Sequence, residues 1–480
     1  MRNSQWKTLL ALLFAFSMVA AACSGDDVSD AVDDAGDAAG DVADEVTDED
    51  AMDDEEPMDD EDAMDDEEPM DDDAMTDLSG TEVNITGPER SEGEAGALQQ
   101  VLGAYGDTLG ITVTYTGSAD WESEVNIQVD AGAPPDISIF PQPGKLADFA
   151  RDGILMPLPE NVAASTAANW SDAWTVFGNV DGTQVGIPVK TDIKSLVWYK
   201  PAAFEAAGYA IPTTFDDFIA LTETMIADGE TPLCVGIESG QATGWPFTDW
   251  VEEMMLRFEG VDTYDAWVSH EIPFNDPAVV TQMEAVLDLW NTPGMVFASG
   301  GTIAATAFQA NGAPLIDGDC MMHRQASFFS GQFDEGTVFA DGSEDAVDVF
   351  YFPSNEGSPV LGAGTLAAAF ADRPEVWAIM EYMSTPEYAN ARQTVQRELN
   401  GGDLSAFLTA VNGLDMSLYA PLEASMIDSL TNASVVRFDA SDLMPGDVGA
   451  GTFWTEGTSA VNGDQTAQEA ADNIEASWPS

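Results

Sequence analysis

From residue 81 onward, apolar and polar positions switch period several times. Residues 83–86 alternate and predict a short strand. Residues 92–106 put Leu98 and Val101 on one face, the spacing of an amphipathic helix. Residues 111–116 alternate again, and 121–131 return to helical spacing. Residues 137–140 form a continuous apolar run behind Pro134 and Pro135, which predicts a buried strand. Strands separated by helices predict an α/β fold with a largely parallel sheet and crossover helices. In such sheets ligands sit beyond the carboxyl ends of the strands. Glu89, Glu92, Pro141 and Gln142 each follow a strand and are candidates on that ground.

Farther along, residues 185–200 hold two β-rich runs with a proline between, and residues 348–353 and 360–370 read as another strand pair. Strand pairs so far apart in sequence are where the chain would cross between two lobes. Two lobes are expected in any case, because residues 81–480 are long for one core. Further helices are predicted over 215–228, 245–258, 278–290, 374–382 and 467–476.

The first 80 residues are of another kind. Arg2 and Lys7 precede an apolar run from Leu9 to Ala22 that is too short for an ordinary membrane span, and Cys23 follows three alanines. Residues 1–22 therefore predict an export signal. The cysteine at the cleavage point resembles a bacterial lipobox, with Ala20 where leucine is usual, and would carry lipid as the new N-terminus. A plain signal peptide with an incidental cysteine is the alternative. Residues 26–77 carry 28 Asp and Glu and no Lys or Arg, and a 12-residue unit beginning at Ala51 recurs at Ala63. Such composition cannot bury enough apolar surface to offset chain entropy, so residues 23–80 predict an acidic disordered tether. Fully extended, the acidic stretch would reach roughly 170 Å. Its Met and Asp side chains offer soft and hard metal donors as a second reading.

Charge narrows the function. The chain carries −73, and outside the signal and tether 59 acids against 12 bases leave −47 over 403 residues. A surface this acidic repels phosphate, which excludes nucleic acid as a partner, and does not adhere electrostatically to anionic lipid. It suits a salt-rich medium that supplies counterions. With Cys23 lipidated, Cys234 and Cys320 remain as a pair in an oxidising compartment, either as a disulfide or as two buried thiols. Two histidines, His270 and His323, cannot build a three-histidine zinc site. No Gly-x-Ser-x-Gly elbow, His-Glu-x-x-His helix or Walker A motif occurs. With so many acids, carboxylate pairs of the glycosidase kind carry no weight.

The blocks Gly87-Pro-Glu-Arg-Ser-Glu-Gly-Glu94, Asp136-Ile-Ser-Ile-Phe140, Cys234-Val-Gly-Ile-Glu-Ser-Gly240 with Thr243-Gly-Trp-Pro246, and His270-Glu-Ile-Pro-Phe274 resemble a known family. So do Met322-His-Arg-Gln-Ala326, Asp439-Ala-Ser-Asp-Leu-Met-Pro445 and Gly449-Ala-Gly-Thr-Phe-Trp454, the last two most specifically. The resemblance is to the family 1 extracellular solute-binding proteins of carbohydrate ABC importers, of maltose-binding-protein type, and within them to the α-glucoside-binding branch. It implies a two-lobed α/β fold of periplasmic-binding-protein type II, with a hinge and an interlobe cleft. Residues 81–190 and 358–395 would form one lobe, 191–357 and 396–480 the other. It also implies a monomer outside the cytoplasm, held to the membrane by Cys23, with a sugar as ligand and membrane permease subunits as partners. No cofactor and no resident metal are required. A secreted carbohydrate-acting hydrolase and a surface lectin are the alternatives.

A pyranose needs aromatic faces to stack on and polar groups for its hydroxyl rim. Trp454, Trp245 and Trp121 are the aromatic candidates, each weighed against core packing, which claims most aromatics. Lys190 and Asp192, in a lysine-rich stretch of a chain poor in bases, would bond hydroxyls or close a hinge salt bridge. His323 and Arg324 form a polar pair near Cys320, and the arginine fork would reach hydroxyls or a cleft acid. With Glu89, Glu92 and Gln142 these complete the expected ligand-binding set.

Overall fold

The computed structural model describes residues 77–433 and 435–479. The signal region, Cys23 and nearly all of the acidic tether lie outside the described residues. In chain order the first strands are β1 (Glu82–Gly87), β2 (Thr112–Gly117), β3 (Ile137–Phe140), β4 (Asn179–Val180), β5 (Thr183–Gln184), β6 (Gly186–Ile193) and β7 (Leu196–Tyr199). There follow β8 (Leu233–Cys234), β9 (Val296–Phe297), β10 (Met322–Arg324), β11 (Asp348–Tyr351), β12 (Val360–Ala369) and β13 (Val436–Phe438).

Two sheets organise the fold. In the first, β1 pairs in parallel with β2 and β3, as the alternation of strand and helix requires. The long strand β12 is antiparallel to β3 and β6 and parallel to β13, so the sheet is mixed rather than all parallel. In the second, β8 runs parallel to β9 and β10, while β7 lies antiparallel between β10 and β11. The continuous apolar runs Ile137–Phe140 and Val360–Ala369 are buried at every position, because strands covered on both faces have no polar side to present. Each sheet has its own core. Val83, Ile85, Leu98, Val101, Ile137 and Ile139 gather beneath the first. Val197, Phe218, Leu233, Trp250, Trp267 and Phe274 gather around the second. The result is the two-lobed α/β fold expected.

The chain passes between the sheets where the strand pairs were anticipated. β6 ends in the first sheet and β7, after Lys194 and Ser195, begins in the second; β11 lies in the second and β12 in the first. The expectation that 348–353 and 360–370 pair with each other is therefore corrected: β11 bonds β7 and β12 bonds β6 and β3. β13, from the last fifth of the chain, joins the first sheet.

The helices begin where their caps dictate. Ser91 caps Glu92–Leu109, accepting from the Glu94 N–H at 3.2 Å, and Gly110 closes it at φ 75°. The helix expected over 245–258 is α-helical at Trp245–Met254 and continues as a π turn, Met255–Glu259. Thr466 and Glu469 form a reciprocal capping box at Ala467–Ala476. Cys234 at the end of β8 and Cys320 just before β10 are joined in a disulfide, with Cα atoms 5.5 Å apart. No helix among the described residues is long and apolar enough to cross a membrane.

Candidate functional site

A cavity of about 390 Å³ opens beyond the carboxyl ends of β1 and β3. Glu89 and Arg90 reach it from the turn after β1, Pro141 and Gln142 from the turn after β3, Lys190 and Asp192 from β6, and Thr365 from β12. The opposite wall comes from elements that follow the second sheet's strands: Ser239 and Trp245 after β8, Phe308 ahead of β10, Phe328 and Gln332 after it. Ser441, Asp442 and Trp454, near the end of the chain, complete it.

Two buried cations anchor the wall. The Lys190 ammonium lies 3.4 Å from Asp192, 3.5 Å from Glu89 and 3.7 Å from Glu94. Burial works against its charge, but these carboxylates outweigh that and hold its pKa above the usual lysine value. Glu89 also receives Arg392 Nη2 at 2.7 Å, and Asp192 accepts the Ser327 hydroxyl at 2.8 Å. The second cation, Lys194, sits at the crossing from β6 to β7. It donates to Asp249 at 2.7 Å and to Asp439. Asp249, Glu252 and Asp439 have oxygens close enough together to hold a metal ion, and the Lys194 ammonium supplies the positive charge at two of them. Burial and the nearby Asp439 carboxylate push the Glu252 pKa well above the usual range. Asp442, facing the cavity, is pushed up by the same two causes.

The aromatic side of the cavity is a cluster of rings. Trp245 meets Phe308 edge-on at 4.9 Å and lies 6.0 Å from Phe328. Lys194 stands over Trp245 at 5.5 Å and Lys190 over Phe328 at 5.3 Å, cation–π contacts that help to hold both rings. A Cβ on Gly244 would fall 2.3 Å from the Trp454 carbonyl oxygen, so the glycine permits the backbone contact that brings Trp245 and Trp454 to one cavity.

Six of the ten expected ligand-binding residues thus line one cavity: Glu89, Gln142, Lys190, Asp192, Trp245 and Trp454. Four lie elsewhere. Glu92 is exposed at the start of its helix, and Glu94, two residues on, faces the cavity in its place. Trp121 is core, 1% exposed, edge-on to Phe140 at 5.2 Å and donating to the Ser138 hydroxyl at 3.0 Å. His323 is buried with Nδ1 2.9 Å from the Cys234 carbonyl oxygen, and burial pushes its pKa down to about 4. Arg324 is spent on internal acids, with Nη2 2.6 Å from Glu253 and Nη1 3.3 Å from Asp249. Sequence reasoning missed Glu94, Glu122, Thr365 and Asp442, and the rings of Phe308 and Phe328. Glu94 stood inside the Gly87–Glu94 block and Asp442 inside the Asp439–Pro445 block, each without a role, and nothing local singled out the others.

Four cavity-lining residues hold a buried polar atom with no partner among the described residues: Glu89 Oε2, Gln142 Oε1, Thr365 Oγ1 and Trp454 Nε1. Two accept, one donates and the hydroxyl does either, the mixture that a polyhydroxylated ligand satisfies. Residues 91–390 match the family model of the bacterial extracellular solute-binding proteins. The chain belongs to that family. This solute-binding protein is 40% identical over 422 residues to the alpha-glucosides-binding periplasmic protein AglE of Rhizobium meliloti, covering 84% of this chain and 88% of that one. It is 38% identical over 391 residues to the osmoprotective compounds-binding protein GgtB of Synechocystis, covering 80% and 89%. Among solved structures, the bacterial solute receptor AcbH superposes with a TM-score of 0.69 at 17% identity, over 82% of this chain and 98% of the receptor. The maltose-bound MalE3 of T. maritima superposes with a TM-score of 0.61 at 15% identity, over 82% and 98%. These two establish the shared fold.

Proposed function

We propose that this solute-binding protein captures a neutral α-glucoside in the cavity and delivers it to the permease of an ABC importer. The observation that carries the reading is the wall itself: ring faces opposite a set of unpartnered acceptors and donors, at the carboxyl ends of the strands. The likeness to AglE supports the α-glucoside as the class. A ligand that touches the walls built from both sheets favours the state in which they are close, which is the signal a permease reads. The hinge follows from Lys194 and Ser195, at the crossing from β6 to β7. On this reading lobe 1 is built on 81–190 and 358–395 and lobe 2 on 191–357 and 396–480, except that the end of β6 (to Ile193) and β13 (Val436–Phe438) belong to the first sheet. The protein works as a monomer outside the cytoplasm, tethered by lipid on Cys23, and catalyses no reaction.

The acidic surface and the likeness to GgtB favour a second ligand of the same chemistry, a sugar that serves as an osmoprotectant. The test is a thermal-shift series on the full-length protein at high salt without reductant, using maltose, trehalose and sucrose beside amino acids and peptides. A selective rise in midpoint with one of the sugars is expected by mass action. A folded sample that responds to none of the three overturns the reading. Replacing Cys23 with alanine is expected to release the protein from the membrane fraction, and retention there would sink the anchor.

A further inference from the structure

Arg392 makes no contact with the cavity. It lies on the helix Pro386–Leu399 and is fully buried. Each of its three guanidinium nitrogens donates a hydrogen bond. Nη2 donates to Glu89 Oε1 at 2.7 Å, Nη1 to the Tyr388 hydroxyl at 3.1 Å and Nε to Gln396 Oε1 at 3.1 Å. Its plane lies over the Phe407 ring at 4.4 Å. Such a group is a fixed point, since turning it would break three hydrogen bonds and a ring contact together. Glu89 is held from two further sides. Its carbonyl oxygen accepts the Tyr115 hydroxyl at 2.9 Å, and Lys190 shares the same Oε1 that Arg392 holds, at 3.5 Å. Its Oε2 has no partner among the described residues.

We propose that Arg392 is a positioning residue for ligand selection: it clamps one oxygen of Glu89, leaving the other as a fixed, charged acceptor for a ligand hydroxyl and a barrier to ligands with a carboxylate or phosphate at that corner. The inference rests on the sugar-binding reading above. The surrounding charges support it. Arg392 and Tyr388 face Glu89 from one helix, Lys190 and Asp192 from β6, Tyr115 from β2 and Glu94 from the helix Glu92–Leu109. Burial raises the Glu89 pKa, but Arg392 and Lys190 outweigh it and the net shift is downward, so the carboxylate stays ionised. The Lys190 charge is offset by three carboxylates within 3.7 Å, which outnumber the two cations, Lys190 and Arg392, at this corner. A hydroxyl meets a strong acceptor at Glu89 Oε2, whereas an anion meets the excess negative charge of that corner in a desolvated site.

The experiment measures Kd by titration calorimetry from pH 4.5 to 8 for the wild type, Arg392→Gln, Arg392→Lys and Glu89→Gln. The ligands are the best-binding neutral α-glucoside and its counterpart with one glucose oxidised to glucuronic acid. The wild type is expected to bind the neutral sugar with a flat pH profile and to reject the acid. Glu89→Gln is expected to weaken the neutral sugar about 10- to 100-fold, the scale of a lost hydrogen bond to a charged group, and to narrow the gap to the acidic one. Arg392→Gln is expected to bring a pH dependence into the acid range, with affinity falling as pH drops, because Glu89 then protonates. Arg392→Lys is expected to restore the flat profile in part, which a merely structural role does not require. Folding of each variant is checked by near-ultraviolet circular dichroism. If Arg392→Gln does not fold, Arg392→Lys and Glu89→Gln carry the test. A folded Arg392 variant with unchanged Kd and a flat profile, or Glu89→Gln with the full preference for the neutral sugar, overturns the proposal. A folded wild type that binds no neutral α-glucoside instead overturns the functional reading beneath it.

Discussion

Replacing Arg324 with methionine separates a ligand-binding role from a structural one. The guanidinium bonds two carboxylates whose side chains are completely buried, Glu253 at 2.6 Å and Asp249 at 3.3 Å. Methionine fills much of the space but leaves both acids one cation short. Glu253 keeps Arg257 and the Ser195 hydroxyl, and Asp249 keeps Lys194. Breaking a buried ion pair from one side costs about 3–5 kcal/mol, most of it the uncompensated charge left behind. At 1.4 kcal/mol per decade, that is roughly a hundred- to a few-thousand-fold in the folding equilibrium. The assay is urea unfolding of the full-length protein followed by tryptophan fluorescence, with sugar titration at a temperature where the variant is folded. Stability is expected to fall by that amount while the sugar Kd stays within about twofold, because Arg324 does not reach the wall. Stability within about 1 kcal/mol of wild type together with a collapse of sugar affinity would refute the reasoning and put Arg324 in the cleft.

Changing Cys234 and Cys320 together to serine opens a loop of 86 residues and is expected to cost about 4–5 kcal/mol by loop entropy; an unchanged unfolding midpoint in the wild type with and without strong reductant would contradict this. His323 titrates near 4 in the fold against 6.5 in the unfolded chain. The unfolded state therefore binds more protons between those values, and stability falls as pH drops through that window, by up to about 1.4 kcal/mol per pH unit. His323→Asn is expected to lose this slope, and identical slopes in parallel urea titrations at pH 7 and pH 5 would count against it. Gly117→Ala would place a Cβ 2.0 Å from the Glu89 carbonyl oxygen. It is expected to weaken sugar binding by about tenfold or more through displacement of Glu89. Gly103→Ala, inside the helix Glu92–Leu109, is expected to leave binding intact and to stabilise by about 0.5–1 kcal/mol; equal Kd values for the two variants would show that the Glu89 turn does not matter.

What was legible in the sequence was what depends on neighbours along the chain. β1, β2 and β3 came from period and punctuation, and Glu89 and Gln142 followed because a turn after a parallel strand faces the ligand side. What depends on distant partners was not legible. Trp121 looks like an exposed ring until Phe140 and Ser138 close over it. His323 and Arg324 look like a polar surface pair until Cys234, Asp249 and Glu253, about 70 to 90 residues earlier, converge on them. Glu92 and Glu94 differ by two steps of a helix, which puts them on different faces, and only the phase set by the Ser91 cap decides which one looks inward. Lys194 and Asp439 sit 245 residues apart, and their contact exists only because β13 joins the first sheet.

The assembly of that sheet has a consequence for biosynthesis. β12 carries β6 along one edge and β13, then β3, along the other. A nascent chain that has emerged only to residue 359 therefore holds β1, β2 and β3 as a fragment with an open edge, and β6 has nothing to pair with. The last partner, β13, is made near the end of translation. Contacts this far apart in sequence form slowly, so the first sheet closes late, whereas every strand of the second lies between residues 196 and 351. The two sheets therefore differ in when they can be completed: the second from one continuous stretch of chain, the first only once its central strand and the last tenth of the chain have been made.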